Sequence, residues 1–177
     1  MTNIPTERQN QDPSIRALRL DDLDSCLALS TEAGWNQNKN DWRLLLQVCS
    51  GYGIDVPGYG LAGTTMAWEL GERNAWINMV LVAKAYRGRG FARELMAACL
   101  GDLASAQRLA MLDATDLGFN VYSKFGFSGK NRIARLYRES ETESSAPISS
   151  SADGLLLKAM RAEDIDQVAN LDLRVIG

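Results

Sequence analysis

The chain has 177 residues, of which 46% are hydrophobic and 23% charged, so it is long enough for one globular domain with a small appendage. Its formal net charge of −3 provides no basic field for nonspecific binding to nucleic acid or to an anionic membrane. The chain contains no histidine, which excludes histidine-activated nucleophiles, histidine metal sites and histidine general bases.

The cysteines and the first residues indicate the compartment. Cys26, Cys49 and Cys99 are odd in number, far apart and set in apolar surroundings, as expected of buried thiols in a reducing environment. No run of about 18 apolar residues occurs, and residues 1–14 are polar, without signal-peptide character. We therefore expect a cytoplasmic protein with no membrane span, in which residues 1–14 form a flexible arm.

The first part of the chain predicts one strand followed by two helices. "IRALRL" (15–20) has the character of a strand, and the apolar spacing after it predicts a helix that ends near Gly34. A second helix is expected after "GWNQNKN", with Asn40 as its cap. The glycine-rich "GYGIDVPGYG" (51–60) is expected to interrupt regular structure.

The middle of the chain predicts a hairpin and then alternating helices and strands. "LAGTTMAWEL" (61–70) and "AWINMVLV" (75–82) are two strands joined by a short connection, and the second is apolar enough to be central. The elements expected next are a helix from Gly90 to about Leu103, a strand at 109–114, a short helix within 117–126 and a strand at 131–138.

The last residues repeat the beginning of the chain. Residues 139–153 are rich in Ser and Glu and are predicted to be a linker. Beyond them, "MRAEDIDQVANL" from Met160 aligns with "LRLDDLDSCLAL" from Leu18. Chance similarity explains this echo equally well; the alternative is that residues 154–177 begin an incomplete second copy of the domain. Such a tail is expected to extend the first sheet, to fray, or to pair with a second chain as a homodimer.

The segment "VAKAYRGRGFAREL" (82–95) predicts a binding site for an anion. The first N–H groups of its helix have no intrahelical acceptor and carry partial positive charge, and Arg87 and Arg89 cannot lose their charge. Such a turn suits a phosphate. The triphosphate-binding GxxxxGK motif does not occur, and the dinucleotide fingerprint fails because Arg93 stands at its third glycine. A structural turn with solvated arginines is the other alternative.

"RGRGFA" resembles the pyrophosphate signature of the GCN5-related N-acetyltransferases (GNAT): Gln or Arg, two residues, Gly, one residue, then Gly or Ala. Here these positions are Arg87, Gly90 and Ala92. Downstream, "DATDLGFNVYSKFGF" is similar to the family's second segment, with Tyr-x-x-x-Gly-Phe beginning at Tyr122. Upstream, "IRALRLDDLDSCLAL" and "AGWNQNKNDW" resemble its opening strand and paired helices. The resemblance covers residues 15–138 in the family's order.

The resemblance implies an α/β (α+β) fold of the GNAT acyl-CoA N-acyltransferase type, with a mixed, mostly antiparallel central sheet flanked by helices. It also implies acetyl-CoA as cosubstrate, bound in a gap between two parallel strands, and no metal. A backbone N–H near Val80 would polarise the thioester carbonyl. The other residues implied for the cofactor are Leu81 and Val82 for the pantetheine arm, and Arg87, Gly88, Arg89, Gly90, Phe91 and Ala92 for the pyrophosphate.

The implied reaction is direct attack of an amine on the thioester, with Tyr122 as the general acid that protonates the leaving thiolate. Some members of the family hold a glutamate base where this chain has Trp76. Glu69 on the preceding strand is the first alternative base and Asp113, after the next strand, is the second. A water relay would need neither. Glu69 and Asp113 also have ordinary structural explanations, as a hairpin charge and a strand-end cap, and the alternative for Tyr122 is a buried tyrosine with one satisfied hydrogen bond.

The acceptor is not determined by the sequence. Trp35 and Asn36 follow the first helix, where relatives shape the acceptor pocket, and Asn78 interrupts an apolar strand; packing or turn roles are the alternatives for all three. The resemblance thus implies an acetyl-CoA-dependent N-acetyltransferase for a small-molecule or peptide amine, and the net charge indicates no nucleic-acid or membrane partner. The rival prediction is a non-catalytic acyl-CoA-binding or protein-interaction module with the same fold.

Overall fold

A computed structural model describes residues 12–134 and 158–175, which divide into two units between Phe125 and Gly126. In the first unit, five strands lie in chain order within one sheet: β1 (Ser14–Ala17), β2 (Ser50–Val56), β3 (Gly60–Leu70), β4 (Asn74–Val82) and β5 (Leu109–Leu112). Neighbouring strands from β1 to β4 are antiparallel, and β5 runs parallel to β4.

Four helices flank this sheet: α1 (Leu23–Glu32), α2 (Lys39–Val48), α3 (Phe91–Ser105) and α4 (Asp116–Tyr122). The mixed, mostly antiparallel sheet with flanking helices is therefore confirmed. Within the described part of the chain, no helix has both the length and the apolar character needed to cross a bilayer.

The core has two halves, one on each face of the sheet. On one face, α1 and α2 pack against side chains of β3 and β4, including Met66 and Leu81. On the other face, Phe91 and Leu95 of α3 pack against Ile54 of β2 and its neighbours. Burial of such side chains removes apolar surface from water, at about 25 cal/mol per Å², and holds both helical layers on the sheet.

The helices α1 and α2 are joined by a buried hydrogen bond. The Trp42 indole N–H donates to Ser30 Oγ at 2.9 Å, and both side chains are fully buried. The cap of α2 is Asn38, whose side-chain oxygen accepts from the N–H groups of Asn40 (2.8 Å) and Asp41 (3.3 Å). The prediction of Asn40 as the cap is therefore wrong by two residues, because the helix begins earlier than its apolar spacing indicates.

The glycine-rich segment after α2 is a strand rather than a break. Residues Ser50–Val56 form β2 inside the sheet, so the predicted interruption is wrong for the first half of that segment. A steric reason explains the glycines: a Cβ on Gly51 would lie 2.6 Å from the Thr65 carbonyl oxygen, and one on Gly53 would lie 2.5 Å from the Leu61 side chain. Glycine here permits close approach of neighbouring strands.

The second unit contains one regular helix among its described residues, α5 (Ile165–Val175), preceded by a short 3-10 turn. That turn repeats the one before α1: the Arg161 N–H donates to Asp164 at 2.9 Å, as the Arg19 N–H donates to Asp22 at 2.7 Å. The local conformation of the two segments is thus alike, while an incomplete second domain stays a prediction.

Several predictions fall partly or wholly outside the described residues. Residues 131–134 adopt no regular structure, and the remainder of the strand predicted at 131–138 is not described. The arm is described only from residue 12 onward, and the linker at 139–153 and residues 154–157 lie outside the described ranges.

Candidate active site

The strand β4 extends beyond its parallel neighbour β5. Their pairing runs from Asn74 opposite Leu109 to Ile77 opposite Leu112. The remainder of β4, residues 78–82, lies next to β3 alone among the described strands. At this point one edge of β4 has no partner among the strands that the structure describes, and an unpaired strand edge can bind an extended ligand through its backbone N–H and C=O groups. The resemblance to the GNAT family implies a gap between two parallel strands, and β4 and β5 are the parallel pair in this sheet.

A bulge interrupts β4 beside this gap. The register with β3 shifts between Thr64 and Met66, and neither Met79 nor Val80 has a register partner on β3. Met79 has φ of +48°, a conformation that costs a non-glycine residue about 1–3 kcal/mol. The buried Thr64 hydroxyl donates to the Met79 carbonyl oxygen at 2.7 Å, which holds the strained residue in place. Val80 therefore lies outside the regular register of the two strands.

The bulge also changes which side chains of β4 share a face. Before it, Asn78 lies opposite Met66, on the face covered by α1 and α2. After it, Leu81 packs on that same face and Val82 packs on the α3 face. Because side chains alternate along a strand, the one-residue insertion reverses the alternation.

The turn between β4 and α3 presents unpaired N–H groups. Gly88 and Gly90 have φ of +77° and +92°, and Gly90 is the N-cap of α3. The N–H groups of Arg93 and Glu94 donate to the Gly90 carbonyl oxygen at 2.9 and 3.1 Å. Among the described residues, no acceptor is found for the preceding N–H groups, those of Arg89, Gly90, Phe91 and Ala92. A Cβ on Gly88 would meet no atom within 4 Å, so the space outside the turn is open.

These features fit an acyl-CoA molecule. Unpaired N–H groups at a helix start, with partial positive charge behind them, are suited to a diphosphate, and the free edge of β4 is suited to an extended arm. The two arginines of the turn differ in their contacts. Arg87 Nε donates to the Val82 carbonyl oxygen at 3.1 Å, so this guanidinium ties the turn to the end of β4.

Tyr122 is the last residue of α4 and lies against the start of that helix. A Cβ on Gly118 would lie 2.7 Å from the Tyr122 ring, so glycine makes room for the ring one turn earlier. The Thr115 hydroxyl caps the helix by accepting from the Gly118 N–H at 3.2 Å. Burial raises the pKa of Tyr122, so the phenol is protonated at neutral pH and has a proton to donate.

The two carboxylates considered as bases differ in position. Glu69 lies opposite Ala75, before the gap begins, and forms a 2.6 Å ion pair with Arg108. Its side chain lines a cavity of about 220 Å³ with Cys99 of α3, on the face of the sheet opposite to that of Asn78. Asp113 instead follows β5 directly, where the gap opens, and is exposed. The structure thus brings Asp113, rather than Glu69, to the end of the gap.

The three acceptor candidates have different environments. Trp35 packs against the core formed by α1 and α2, which indicates a structural role, and Asn36 is exposed. Asn78 Nδ2 donates to the Trp76 carbonyl oxygen at 3.3 Å. Asn78 Oδ1 is buried and has no hydrogen-bond partner among the described residues. A buried acceptor without a partner is costly, which makes Asn78 the strongest of the three.

Sequence reasoning missed three supporting residues. Thr64 carries no sequence signal, because its role depends on a bulge that hydropathy does not reveal. Gly118, four residues before Tyr122, had a signal: at this spacing two helical side chains meet, and glycine leaves room. Tyr86 lies directly before the arginines of the turn, where an aromatic side chain can contact a cation.

Comparison with known proteins agrees with this geometry. The model of the acetyltransferase (GNAT) family matches residues 20–127, more than half of the chain. No curated protein sequence matches the chain. Many solved structures share its fold, and three of them represent different members.

Glucosamine-6-phosphate N-acetyltransferase from Arabidopsis thaliana is 16% identical with a TM-score of 0.60, over 72% of this chain and 99% of that one. A predicted acetyltransferase from Clostridium acetobutylicum, solved with acetyl-CoA, is 14% identical with a TM-score of 0.60, over 71% and 96%. Ard1 from Thermoplasma volcanium is 20% identical with a TM-score of 0.62, over 67% and 84%.

At these identities the structural likeness shows the fold alone, and the match to the family model carries the assignment. The order of the sheet, the gap beside β4 and the glycine turn before α3 agree with it. The chain therefore belongs to the acetyltransferase (GNAT) family and is an acetyltransferase.

Proposed function

We propose that the protein transfers the acetyl group of acetyl-CoA directly to a primary amine of a small molecule or peptide. The single observation that supports this best is the conjunction of unpaired N–H groups at the start of α3 with the free, bulged edge of β4. The first feature suits the diphosphate, and the second suits the pantetheine arm and the thioester carbonyl. The solved relative from Clostridium acetobutylicum, whose structure contains acetyl-CoA, supports the same cosubstrate.

In this proposal, residues of β4 and of the turn after it bind the cosubstrate. The N–H of Val80, which has no register partner on β3, donates to the thioester carbonyl oxygen, where negative charge develops during attack. The backbone of Leu81 and Val82 binds the pantetheine arm. The diphosphate is bound by the backbone N–H groups of Arg89, Gly90, Phe91 and Ala92, with Arg87 and Gly88 alongside.

Tyr122 is proposed to be the general acid. A phenol kept protonated by burial can donate its proton to the departing thiolate of coenzyme A, whose basicity is similar to its own. The amine nitrogen forms the new C–N bond, the C–S bond breaks, and the sulfur receives the proton from Tyr122, whose phenolate regains a proton from solvent before the next turnover.

The proton of the attacking amine needs a second acceptor. Glu69 is disfavoured, because its carboxylate is paired with Arg108 and lies on the other face of the sheet from Asn78. We propose that the proton leaves through Asp113 or through water at the open end of the gap. Asn78 is proposed to orient the acceptor by accepting an N–H at its unpartnered Oδ1. Trp35 and Asn36 are proposed to form part of the wall of the acceptor pocket.

A turnover assay tests this function. Release of free coenzyme A from acetyl-CoA is measured with a panel of amino sugars, amino acids, arylalkylamines and peptides, and mass spectrometry identifies the acetylated product. We expect turnover with at least one primary amine, and a loss of about 10²–10⁴-fold in kcat for Tyr122→Phe. Binding of acetyl-CoA without turnover of any amine would contradict the catalytic proposal.

A matched pair of variants tests the base. Asp113→Asn is expected to lower kcat/KM, because that carboxylate follows the strand at the gap. Glu69→Gln is expected to retain kcat within about threefold, because its partner is Arg108. Equal, large losses in both variants would contradict this assignment, and equal retention would favour the water relay.

A further inference from the structure

An aromatic cluster supports the glycine turn. The Tyr86 ring packs against Tyr59, in the connection between β2 and β3, with centroids 4.7 Å apart, and stacks on Phe91 at 5.9 Å with an interplanar angle of 12°. Phe91 is buried, and Tyr86 packs against both halves of the core. Because its neighbours come from three different parts of the chain, the orientation of the Tyr86 ring is fixed independently of any ligand.

Arg89 lies over this ring. Its Cζ atom is 4.8 Å from the Tyr86 centroid, within the range of a cation–π contact. Among the described residues, Arg89 forms no ion pair with a carboxylate, unlike Arg16, whose guanidinium is paired with both Asp22 and Asp55. A ring face attracts the cation but does not accept its in-plane N–H groups in the way that a carboxylate does.

The two arginines of the turn therefore have different capacities for an anion. Arg87 has already donated its Nε N–H to the Val82 carbonyl oxygen. The Arg89 N–H groups have no acceptor among the described residues, and the guanidinium stands beside an open turn at which a Cβ on Gly88 would meet nothing. An exposed arginine side chain ordinarily loses conformational freedom when it binds an anion, and a ring that already holds it reduces that loss.

We propose that Tyr86 is a positioning residue for phosphate recognition: its ring holds the Arg89 guanidinium at the turn with its N–H groups available to a phosphate of coenzyme A. The inference rests on the proposed function, since it concerns the same cosubstrate. It assigns to Tyr86 an effect on the affinity for acetyl-CoA and none on the chemical step. The phosphate that Arg89 meets is either part of the diphosphate or the ribose 3′-phosphate.

A double-mutant cycle tests the proposal. Dissociation constants for coenzyme A, dephospho-coenzyme A and pantetheine are measured by calorimetry for the wild type, Tyr86→Leu, Tyr86→Phe, Arg89→Gln and Tyr86→Leu/Arg89→Gln. Arg43→Gln is the matched control, because it removes the same charge from α2, where Arg43 contacts Asn40. Steady-state kinetics with acetyl-CoA accompanies each binding measurement, so that KM and kcat are separated.

We expect Arg89→Gln to weaken coenzyme A binding by about tenfold to a hundredfold. Tyr86→Leu should weaken it by about threefold to tenfold, with kcat retained, whereas Tyr86→Phe and Arg43→Gln should resemble the wild type. In the Arg89→Gln background, Tyr86→Leu should have no further effect. Pantetheine, which lacks phosphates, should bind all variants alike. If Arg89→Gln and Tyr86→Leu weaken the binding of dephospho-coenzyme A as well, the diphosphate is the partner of Arg89. If they do not, the partner is the 3′-phosphate.

The proposal is overturned if the effects of Tyr86→Leu and Arg89→Gln on coenzyme A binding are additive. It is also overturned if Tyr86→Phe weakens coenzyme A binding as much as Tyr86→Leu does, or if Tyr86→Leu also weakens pantetheine binding. Should Tyr86→Leu not fold, Tyr59→Leu removes a half-exposed neighbour of the ring and must show a smaller effect in the same direction. Failure of the proposed function is a separate result, because the wild type would then neither bind coenzyme A nor turn over acetyl-CoA.

Discussion

The adjacent threonines Thr64 and Thr65 provide a sharp test of how the bulge is held. Both side chains are fully buried in β3. The Thr64 hydroxyl donates to the carbonyl oxygen of the strained Met79 at 2.7 Å. The Thr65 hydroxyl lies near the weakly hydrogen-bonding thiol of Cys99 and has no conventional partner among the described residues. Replacement by valine changes each hydroxyl to a methyl group of similar size.

The two valine substitutions are expected to change the unfolding free energy differently. Thr64→Val leaves a buried carbonyl oxygen unsatisfied beside a strained residue, which costs about 2 kcal/mol of unfolding free energy. For a chain of this length, that corresponds to a decrease in Tm of roughly 4–8 °C. Thr65→Val removes a buried hydroxyl that makes no conventional hydrogen bond, so its effect should lie between neutral and about 1 kcal/mol of stabilisation.

Thermal and urea unfolding, followed by circular dichroism, measure both effects. Thr64→Ser keeps the hydroxyl and should recover most of the bond energy, apart from the cost of a lost methyl group. In the turnover assay, Thr64→Val should lower kcat by about tenfold, because a donor displaced from the thioester carbonyl retains only part of its effect. If Thr64→Val were no less stable than Thr65→Val, the role assigned to this hydrogen bond would be refuted.

Two further predictions concern α4 and the buried thiols. Gly118→Ala should lower kcat, because the added Cβ would lie 2.7 Å from the Tyr122 ring. In the control Gly101→Ala the added Cβ meets nothing within 4 Å, so this variant should keep kcat and gain up to about 1 kcal/mol of stability. Equal kcat in both variants would contradict the positioning of the ring. Burial raises the pKa of Cys26 from 9.0 to about 12, so the folded state favours the neutral thiol. The stability that this preference gives to the folded state is fully present below pH 9 and is lost as the pH rises toward 12. Between these values, unfolding free energy from urea titrations should fall more steeply in the wild type than in Cys26→Ala, by about 1.4 kcal/mol per pH unit, and parallel curves would argue against this.

The sequence predicted the elements that have clear periodicity or a clear motif. β3, β4, α3 and β5 lie where apolar runs and the glycine turn indicated them. Burial is strong in β3, β4 and α3, whereas β5 is only partly buried and was recognisable from its apolar run alone. β2 was missed because the glycines that permit close strand contact are the same residues that ordinarily mark a loop. Local preference and tertiary packing conflict there, and only the structure shows that packing prevails.

The site was predictable only in part, for a related reason. Unpaired N–H groups at a helix start follow from the backbone alone, so the anion turn was visible in the sequence. The bulge at Met79 was not visible, since no residue type announces it. The choice between Glu69 and Asp113 depends on which face of the sheet a side chain occupies and on the ion pair with Arg108, and neither is a local property.

The reversal of side-chain alternation at Met79 sets the pattern of substitutions that β4 can tolerate. Up to Asn78, one set of alternate positions faces the α1 and α2 layer; beyond the bulge, the opposite set does. The buried positions nevertheless alternate without interruption, at 75, 77, 79 and 81, because both faces of the sheet are covered, so a saturation scan should find these four intolerant of polar residues on both sides of the bulge. Deletion of a single residue at 79 or 80 would remove the bulge and leave Leu81 opposite Thr64, so the residues that follow would keep their faces of the sheet while the strand lost its irregular backbone.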